Sequence, residues 1–274
     1  MEYGLLIVAR PATLAYRKGY CNHSQESIMQ TVLITGCSSG FGLDIARHFL
    51  AHDWNVVATM RTPDLGILPA SDRLRVLALD VTDEASIRAA VDAAGPIDAL
   101  VNNAGIGVMY PLEGMSTATA HSVFATNTLG TIAMTQAVLP AFRTQGAGVI
   151  VNVTSAVTIK PLPLLSVYTA SKAAVNAFTE SLALELAPLG IRLRLVLPGR
   201  SPETQFGASA RAHMTGQMPD AYVPLLDTMV AGVRAPGPVT HAQDVAQAVW
   251  RAVTDPTTPV RIPAGADAEA MMAV

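Results

Sequence analysis

Several features that would define a function are scarce or missing in this sequence. No apolar run approaches the roughly 18 residues that a membrane-spanning helix requires. The apolar run at residues 5–9 is too short for the core of a signal peptide, and no basic segment precedes it. Two cysteines, Cys21 and Cys37, cannot build a disulfide framework, and neither has the partners of a zinc site. These absences predict a soluble, cytoplasmic protein with no membrane span and no metal.

Charge is scarce as well, since only 14% of the residues are Asp, Glu, Lys or Arg. The formal net charge of -3 gives no electrostatic reason to expect binding to nucleic acid or to an anionic membrane. Half of the residues are apolar, which allows a well-filled core. A chain of 274 residues is long enough for one large α/β domain or two small ones.

Apolar patterning selects the single-domain alternative. Residues 1–29 lack the pattern of the rest and are predicted to be a poorly ordered extension, with one domain over residues 30–274. Within that domain short apolar runs alternate with segments of helical spacing, which indicates βαβ units and a parallel sheet. The predicted strands are residues 31–35, 55–60, 74–79, 97–101, 149–153, 191–197 and 259–262. The fold class is therefore α/β, a doubly wound parallel sheet of about seven strands with helices on both faces.

The same patterning locates five helices, at residues 43–52, 82–93, 116–144, 166–187 and 241–253. Thr82 is the expected N-cap of the second helix. The helix at 116–144 is predicted to be long and uninterrupted. Residues 198–238 show no clear periodicity and contain several helix breakers. We predict that residues 199–238, approximately, cover the substrate site.

A tyrosine and a lysine mark a candidate proton-transfer site. Tyr168 and Lys172 lie four residues apart in the predicted helix 166–187, so their side chains share one helix face. A phenol with a pKa of about 10 transfers protons poorly at neutral pH, and a nearby ammonium lowers that pKa. Because this spacing also arises by chance, the pair needs support from the rest of the chain.

A glycine-rich turn joins the first predicted strand to the first predicted helix. Its glycines, Gly36, Gly40 and Gly42, permit a tight turn and the close approach of a ligand. The helix N-terminus behind them offers free N–H groups to a phosphate. The G-x-x-x-G-x-G spacing, placed after the first strand of a βαβ unit, favours a dinucleotide site over a purely structural turn.

The end of the second predicted strand bears on the type of dinucleotide. An acidic residue there would bind the ribose hydroxyls of NAD, whereas an arginine suits the extra phosphate of NADP. Arg61 follows the strand directly, and no carboxylate occurs before Asp64. We therefore predict NADP, with NAD as the alternative. Arg61 could also be an ordinary solvated arginine without a ligand.

Taken together, the motifs resemble those of a known family. They occur in the order TGCSSGFG (35–42), LDVTD (79–83), NNAG (102–105), Ser155, Tyr168-x-x-x-Lys172 and Pro198-Gly199. The ordered set resembles the short-chain dehydrogenase/reductase family over about residues 30–265. The glycine turn and second strand are most similar to the branch acting on hydroxysteroids, retinoids and other apolar carbonyl compounds. The resemblance implies a Rossmann-type fold and hydride transfer between NADP, or NAD, and an alcohol or carbonyl substrate.

The resemblance also implies catalytic roles. Tyr168 would be the acid/base, and Lys172 would lower its pKa and hold the nicotinamide ribose. Ser155, thirteen residues before the tyrosine, would hydrogen-bond the substrate oxygen. Asn127 would support a water in a proton relay. The cofactor-binding residues implied in the same way are Gly36, Ser38, Ser39, Gly40, Phe41, Gly42, Arg61, Asp80, Val81, Asn102, Ala104, Gly105, Tyr168, Lys172, Pro198 and Gly199.

Some of these residues have structural alternatives. The hydroxyls of Thr154 and Thr158 lie close to Ser155 in sequence. Asn127 could satisfy buried backbone groups, and Asp80 could belong to a helix start. In the loop after Pro198-Gly199, a threonine arrives one position later than the family pattern has it, and a second proline stiffens the loop.

The substrate and the assembly are predicted from apolar surfaces. Methionines and leucines in residues 206–229 suit an apolar substrate, although they could also pack on their own domain or on another subunit. The two long predicted helices, 116–144 and 166–187, are apolar on more faces than one sheet needs, which favours a homodimer or homotetramer. Two other functions remain open. These are a catalytically silent cofactor-binding regulator or redox sensor, and a lyase or epimerase without net cofactor turnover.

Overall fold

A computed structural model describes residues 29–204 and 218–273 of the chain. The predicted N-terminal extension, residues 1–28, and part of the predicted covering segment, residues 205–217, lie outside the described residues. The strands are β1 (Thr31–Ile34), β2 (Asn55–Met60), β3 (Leu74–Ala78), β4 (Ala99–Asn102), β5 (Gly148–Val153), β6 (Ile191–Pro198) and β7 (Arg261–Ala264). All seven belong to one parallel sheet in the order β3-β2-β1-β4-β5-β6-β7.

The helices of the described residues connect these strands. They are α1 (Gly40–Ala51), α2 (Glu84–Ala94), α3 (Thr117–Phe124), α4 (Gly130–Gln145), α5 (Ser166–Leu186), α6 (Val223–Arg234), α7 (Ala242–Thr254) and α8 (Ala266–Met272). The predicted doubly wound α/β fold of seven strands is confirmed. Because helices cover both faces of the parallel sheet, the central strands read as nearly continuous apolar runs.

Two apolar cores lie on opposite faces of the sheet. On one face, Ile45 and Phe49 of α1 and Val249 of α7 pack with the side chains of the strands. On the other face, Ile87 of α2 and Met134 of α4 pack in a second cluster. The strand order reverses between β1 and β4, so the connections that leave these two strands diverge at the carboxyl edge of the sheet. Open α/β sheets bind ligands in the crevice that such a reversal creates.

The structure corrects the predicted helices in three places. Asp83, not Thr82, is the N-cap of α2, because its carboxylate accepts hydrogen bonds from the N–H groups of Ala85 and Ser86. The predicted helix 116–144 is interrupted by one π-helical turn, Ala125–Leu129, between α3 and α4. Helices α6 and α8 were not predicted at all. Helix α8 has only seven residues, and α6 contains Pro224 and Gly232, which argue against a helix when the sequence is read alone.

Candidate active site

Tyr168 and Ser155 form the centre of the candidate site. Tyr168 lies in the first turn of α5, and Ser155 follows β5 at the carboxyl edge of the sheet. The two side chains are hydrogen-bonded to each other, and both are buried. The neighbouring hydroxyls are placed differently. Thr158 donates to the Ser155 carbonyl oxygen at 2.8 Å, and the buried Thr154 hydroxyl has no hydrogen-bond partner.

Lys172 lies one helical turn beyond Tyr168 and is also buried. Its ammonium donates a hydrogen bond of 3.0 Å to the Val153 carbonyl oxygen at the end of β5. Gly105 faces the same ammonium, since a Cβ atom at that glycine would lie 3.3 Å from Lys172 Nζ and 3.2 Å from Asn127 Oδ1. The structure therefore brings Lys172, Asn127 and Gly105 together.

Burial sets the protonation states of the pair. It lowers the pKa of Lys172 to about 8, because the ammonium is removed from water. It raises the pKa of Tyr168 to about 12, and the hydrogen bond to Ser155 offsets only part of that increase. The sequence-based expectation was a lowered phenol pKa. Burial raises the pKa of the phenol instead. Tyr168 is therefore a neutral phenol at pH 7 and is available as a proton donor.

Asn127 occupies the π-helical turn between α3 and α4. Its side-chain oxygen accepts from the Ile106 N–H at 2.8 Å, and its amide donates to the Ile106 carbonyl oxygen and the Ser171 hydroxyl at 3.0 and 3.1 Å. The wider π-helical turn lets the amide point at the loop after β4 instead of packing along the helix. The side chain thus fixes that loop against α5. Its support of a proton-relay water stays a prediction.

The glycine turn forms a cradle with little room for side chains. Gly36 has a φ of +75°, and a Cβ atom there would lie 2.8 Å from the Ala104 Cα. A Cβ atom on Gly42 would lie 2.2 Å from the Gly36 carbonyl oxygen. The N-cap of α1, Ser39, makes no side-chain hydrogen bond to the helix. The first N–H groups of α1 are therefore not capped by that side chain, which suits a phosphate.

Asn103 fixes this cradle and was missing from the predicted cofactor-binding residues. Its side-chain amide donates to the carbonyl oxygens of Thr35 and Gly36 at 3.0 and 3.1 Å. The Thr35 hydroxyl accepts from the N–H groups of Asn103 and Ala104, both at 3.0 Å. The sequence feature that could have pointed to this role is the position of Asn103, the second of two consecutive asparagines at the end of a strand. Asn103 thus ties the loop after β1 to the loop after β4.

The predicted adenine and ribose side of the site lies beyond β2 and β3. Arg61 is exposed directly after β2, close enough to Asp80 to contribute to the lowering of that carboxyl's pKa. Hydrogen bonds from Thr82 lower the Asp80 pKa more. The Val81 side chain is buried where Gly130 begins α4, because a Cβ atom on Gly130 would lie 2.8 Å from it. The structure therefore places Arg61, Asp80 and Val81 near the carboxyl edge of the sheet.

The Asn102 side chain belongs to a buried hydrogen-bond network, and its predicted part in cofactor binding stays a prediction. Its buried amide donates to Asn152 on the neighbouring strand at 2.9 Å and to Thr135 of α4 at 3.3 Å. Asn152 in turn donates to Thr179 of α5 at 2.8 Å. This chain of buried hydrogen bonds ties α4, β4, β5 and α5 together beneath the site.

The loop after β6 completes the edge of the site. Pro198 ends β6, and the Gly199 N–H donates to the Thr240 hydroxyl at 2.9 Å. Thr204, whose position departs from the family pattern, still reaches the glycine turn, because a Cβ atom on Gly40 would lie 3.7 Å from the Thr204 Cβ. In the described part of the chain, no group of three or more His, Cys, Asp or Glu side chains is arranged to hold a metal ion.

An apolar cluster adjoins Tyr168. It contains the loop residues Val108 and Tyr110 and the α5 residue Val167, with Met218 packed against it. Among the described helices, none combines the length and apolar character needed to cross a membrane.

Comparisons with known proteins agree with this arrangement. A family model described as short chain dehydrogenase matches residues 30–215. Human retinol dehydrogenase 8 is 36% identical over 258 residues, which cover 85% of this chain and 80% of the relative.

Two solved structures share the fold, each at 26% sequence identity. A short chain dehydrogenase from Burkholderia cenocepacia in complex with NADP has a TM-score of 0.72 and matches 89% of this chain and 92% of its own. A short chain dehydrogenase/reductase from Burkholderia phymatum in complex with NAD has a TM-score of 0.74 and matches 85% and 88%.

Proposed function

The chain belongs to the short-chain dehydrogenase/reductase family, near its retinol dehydrogenase branch, and we propose that it is an NADP-dependent oxidoreductase that interconverts an apolar alcohol and its carbonyl compound. The observation that carries this proposal is the buried, hydrogen-bonded pair of Tyr168 and Ser155, with Lys172 one turn away. A nicotinamide dinucleotide, when bound, supplies or accepts the hydride. The protein has to orient the reactants, transfer one proton and stabilise one developing oxyanion.

The residues of the site match these tasks. In the reducing direction, the neutral Tyr168 phenol donates its proton to the substrate oxygen, while the Ser155 hydroxyl stabilises the developing negative charge. In the oxidising direction, the tyrosinate form accepts the proton of the alcohol. The Lys172 ammonium favours the tyrosinate once the phenol has given up its proton, and it can donate hydrogen bonds to the ribose hydroxyls.

The cofactor site is assigned to the cradle of the glycine turn. The absence of Cβ atoms at Gly36 and Gly42 lets the turn pack tightly against itself and the loop after β4. The N-terminus of α1, which the Ser39 side chain does not cap, supports the negative charge of a diphosphate. Arg61, next to Asp80, supports NADP over NAD, since an arginine pairs with the additional phosphate. The similar Burkholderia proteins hold NADP in one case and NAD in the other. A comparison of both cofactors in one assay is therefore essential.

The substrate is proposed to be apolar. The cluster beside Tyr168 consists of apolar and aromatic side chains, and Met218 of the covering segment packs against it. Retinol, the substrate in the name of the human relative, belongs to the same chemical class. We also propose that two copies associate through α4 and α5, because Leu129, directly before α4, and Leu184, within α5, are exposed.

The proposal is tested with a panel of alcohols and carbonyl compounds, run with NADPH/NADP and NADH/NAD in parallel. We expect turnover of apolar compounds with NADPH favoured. Turnover restricted to small, highly polar carbonyls would contradict the substrate class. No turnover with intact NADPH binding would favour a catalytically silent regulator.

Tyr168→Phe tests the catalytic centre directly. Because the phenol proton is lost, we expect kcat to fall about 1,000-fold or more, with the Kd for NADPH, measured by fluorescence, changed less than about threefold. Ser155→Ala should also reduce kcat strongly. The matched control is Thr154→Val, which removes the adjacent unpartnered hydroxyl and should retain turnover. Equal activity of wild type and Tyr168→Phe would refute the mechanism.

A further inference from the structure

Arg200 holds the end of α6, a helix within the predicted covering segment. Its Nη1 donates to the carbonyl oxygens of Gly232, Val233 and Ala235 at 2.9, 2.8 and 2.8 Å, and its Nη2 donates to the Pro238 carbonyl oxygen at 3.2 Å. The last carbonyl groups of a helix have no partner within the helix and carry the negative end of its dipole. A guanidinium satisfies several of them at once, and its charge strengthens each bond.

The backbone of Arg200 is itself fixed to the sheet. Its N–H donates to the buried carboxylate of Asp267 at 2.6 Å, and its carbonyl oxygen accepts from the Thr240 N–H at 2.8 Å. Asp267 also leaves no room for a side chain at Gly199, because a Cβ atom there would lie 2.2 Å from Asp267 Oδ2. Arg200 therefore connects the C-terminus of α6 rigidly to the end of β6.

The opposite end of α6 is attached to a different loop. Tyr222, directly before the helix, is hydrogen-bonded through its side chain to Glu113 in the connection between β4 and α3. Met218, four residues earlier, packs against the apolar cluster that contains Tyr168. The N-terminal end of α6 is thus held on the β4 side of the candidate site.

These two attachments make α6 span the site. The sheet order places β5 between β4 and β6, and Ser155 follows β5. Strands β4 and β6 are therefore about 10 Å apart, and a helix of 12 residues is about 18 Å long. A helix held at one end by the loop after β4 and at the other by the loop after β6 lies across the carboxyl end of β5.

The attachments matter because α6 has little other packing. Among residues 223–233, none is fully buried, and Leu225 and Val233 are exposed. A short helix without a packed face is marginal by itself. We propose that Arg200 is a positioning residue, which fixes α6 over the site and thereby sets the affinity for an apolar substrate. This inference rests on the proposed function for its kinetic consequence, but not for its structural one.

Arg200→Ala tests the inference through kinetics. We expect KM for the best apolar substrate to rise about tenfold, the effect of losing one charge-assisted interaction, with kcat changed less than about twofold. The KM of Arg200→Lys should lie between those of the wild type and Arg200→Ala, because a single ammonium cannot reach all four carbonyl groups. Tyr222→Phe, which releases the other end of α6, should raise KM in the same direction.

The matched control is Arg192→Ala. Arg192, at the other end of β6, donates to the carbonyl oxygens of Ala252, Val253 and Asp255 at the C-terminus of α7 and has no contact with α6 among its described bonds. Its loss should lower the melting temperature but leave KM unchanged. Equal KM values for Arg200→Ala and wild type, or an equal rise in both arginine variants, would overturn the inference.

Hydrogen exchange separates this inference from the proposed function, because it requires no turnover. Arg200→Ala should speed exchange of the backbone amides of residues 225–234, whereas Arg192→Ala should speed exchange in α7 and leave residues 225–234 as in wild type. Unchanged exchange at 225–234 in Arg200→Ala would refute the anchor. Absence of turnover in the wild type would refute the proposed function while leaving this measurement decisive.

Discussion

The burial of Lys172 is costly for folding, because its ammonium must leave water and has no carboxylate partner among residues 29–204 and 218–273. The lowering of its pKa from 10.5 to about 8 expresses this cost. A folded-state pKa below the unfolded value means that the folded protein binds fewer protons between about pH 8 and 10.5. The stability of the protein should therefore rise with pH across that interval and carry the full penalty below pH 8.

Lys172→Met should consequently stabilise the protein while abolishing turnover. Methionine fills the same space without a charge. We expect the free energy of unfolding at pH 7 to increase by about 2 kcal/mol, after allowance for the lost hydrogen bond to Val153. Urea denaturation at pH 7 and pH 9.5 measures this change, and the advantage should shrink at the higher pH. Titration of Tyr168 in the folded protein does not disturb this comparison, because burial raises its pKa to about 12, above both pH values.

The control for this variant is the exposed Lys160. Lys160→Met should change the free energy of unfolding by less than about 0.5 kcal/mol at either pH. A Lys172→Met protein that is less stable than wild type at pH 7 would show that the ammonium gains more from its contacts than it loses on burial.

Some properties of individual site residues could be predicted from the sequence, and others could not. Tyr168, Lys172, Ser155 and Asn127 could be singled out because they match the ordered motifs of the family. The structure places Tyr168 beside Ser155, and Lys172 and Asn127 beside Gly105. Their catalytic roles stay predictions. The direction in which the Tyr168 pKa shifts could not be predicted, because it depends on how far the fold removes the phenol from water. The role of Arg200 could not either. Its partners lie more than 30 residues away, at the end of a helix without a sequence signal.

At the scale of elements, the glycine turn between β1 and α1 is the part most sensitive to side-chain size. Gly36 and Gly146, which directly follows α4, both have left-handed backbones, with φ of +75° and +66°. A Cβ atom on Gly36 would press on the Ala104 backbone, whereas a Cβ atom on Gly146 would have no heavy atom within 4 Å. The two glycines thus share backbone strain and differ in crowding.

This pair separates strain from crowding. Gly146→Ala should lower the free energy of unfolding by about 1 kcal/mol, from backbone strain. Gly36→Ala should lower it by about 2 kcal/mol more, because the turn must move away from Ala104. The Kd of Gly36→Ala for NADPH should rise at least about tenfold, while that of Gly146→Ala should not change. Denaturation and fluorescence titration measure both, and equal NADPH affinity in the two variants would argue against a cofactor site at this turn.

Elements also show what periodicity could and could not predict. The seven strands were predicted within a few residues, because strands buried on both faces are continuous apolar runs. The π-helical turn at 125–129 was not predicted, because the Ala- and Thr-rich helices on both sides have no sharp apolar stripe in which one extra residue would show. The turn carries Asn127, whose side chain bonds to Ile106 and Ser171. These tertiary contacts are not encoded in a local pattern.

At the scale of the whole molecule, α4 and α5 present apolar surface to solvent. The small exposed residues Ala170, Ala173 and Ala177 of α5 lie at helical spacing with Leu184, which is 80% exposed. A smooth stripe of this kind allows two helices to approach closely. We therefore expect the protein to be a dimer or tetramer in solution.

Leu184→Glu should disrupt that assembly. A carboxylate placed within a helix interface loses its hydration, so we expect the mass measured by light scattering at micromolar concentration to fall to that of a smaller species. The control is Leu65→Glu in the loop after β2, because Leu65 is 77% exposed but lies on neither helix. A monomeric wild type would refute the assembly, and an equal effect of both variants would show that the surface of α5 is not special.

Cys37 lies inside the glycine turn, and this position has a practical consequence. Its thiol is buried and donates to the Ile34 carbonyl oxygen, and burial raises its pKa to about 12. The thiolate, which is the form that reacts with alkylating reagents, is therefore very rare in the closed turn. Alkylation of Cys37 has to wait for the turn to open. The rate of Cys37 alkylation, followed by mass spectrometry of the peptide around Cys37, therefore measures how often the glycine turn opens.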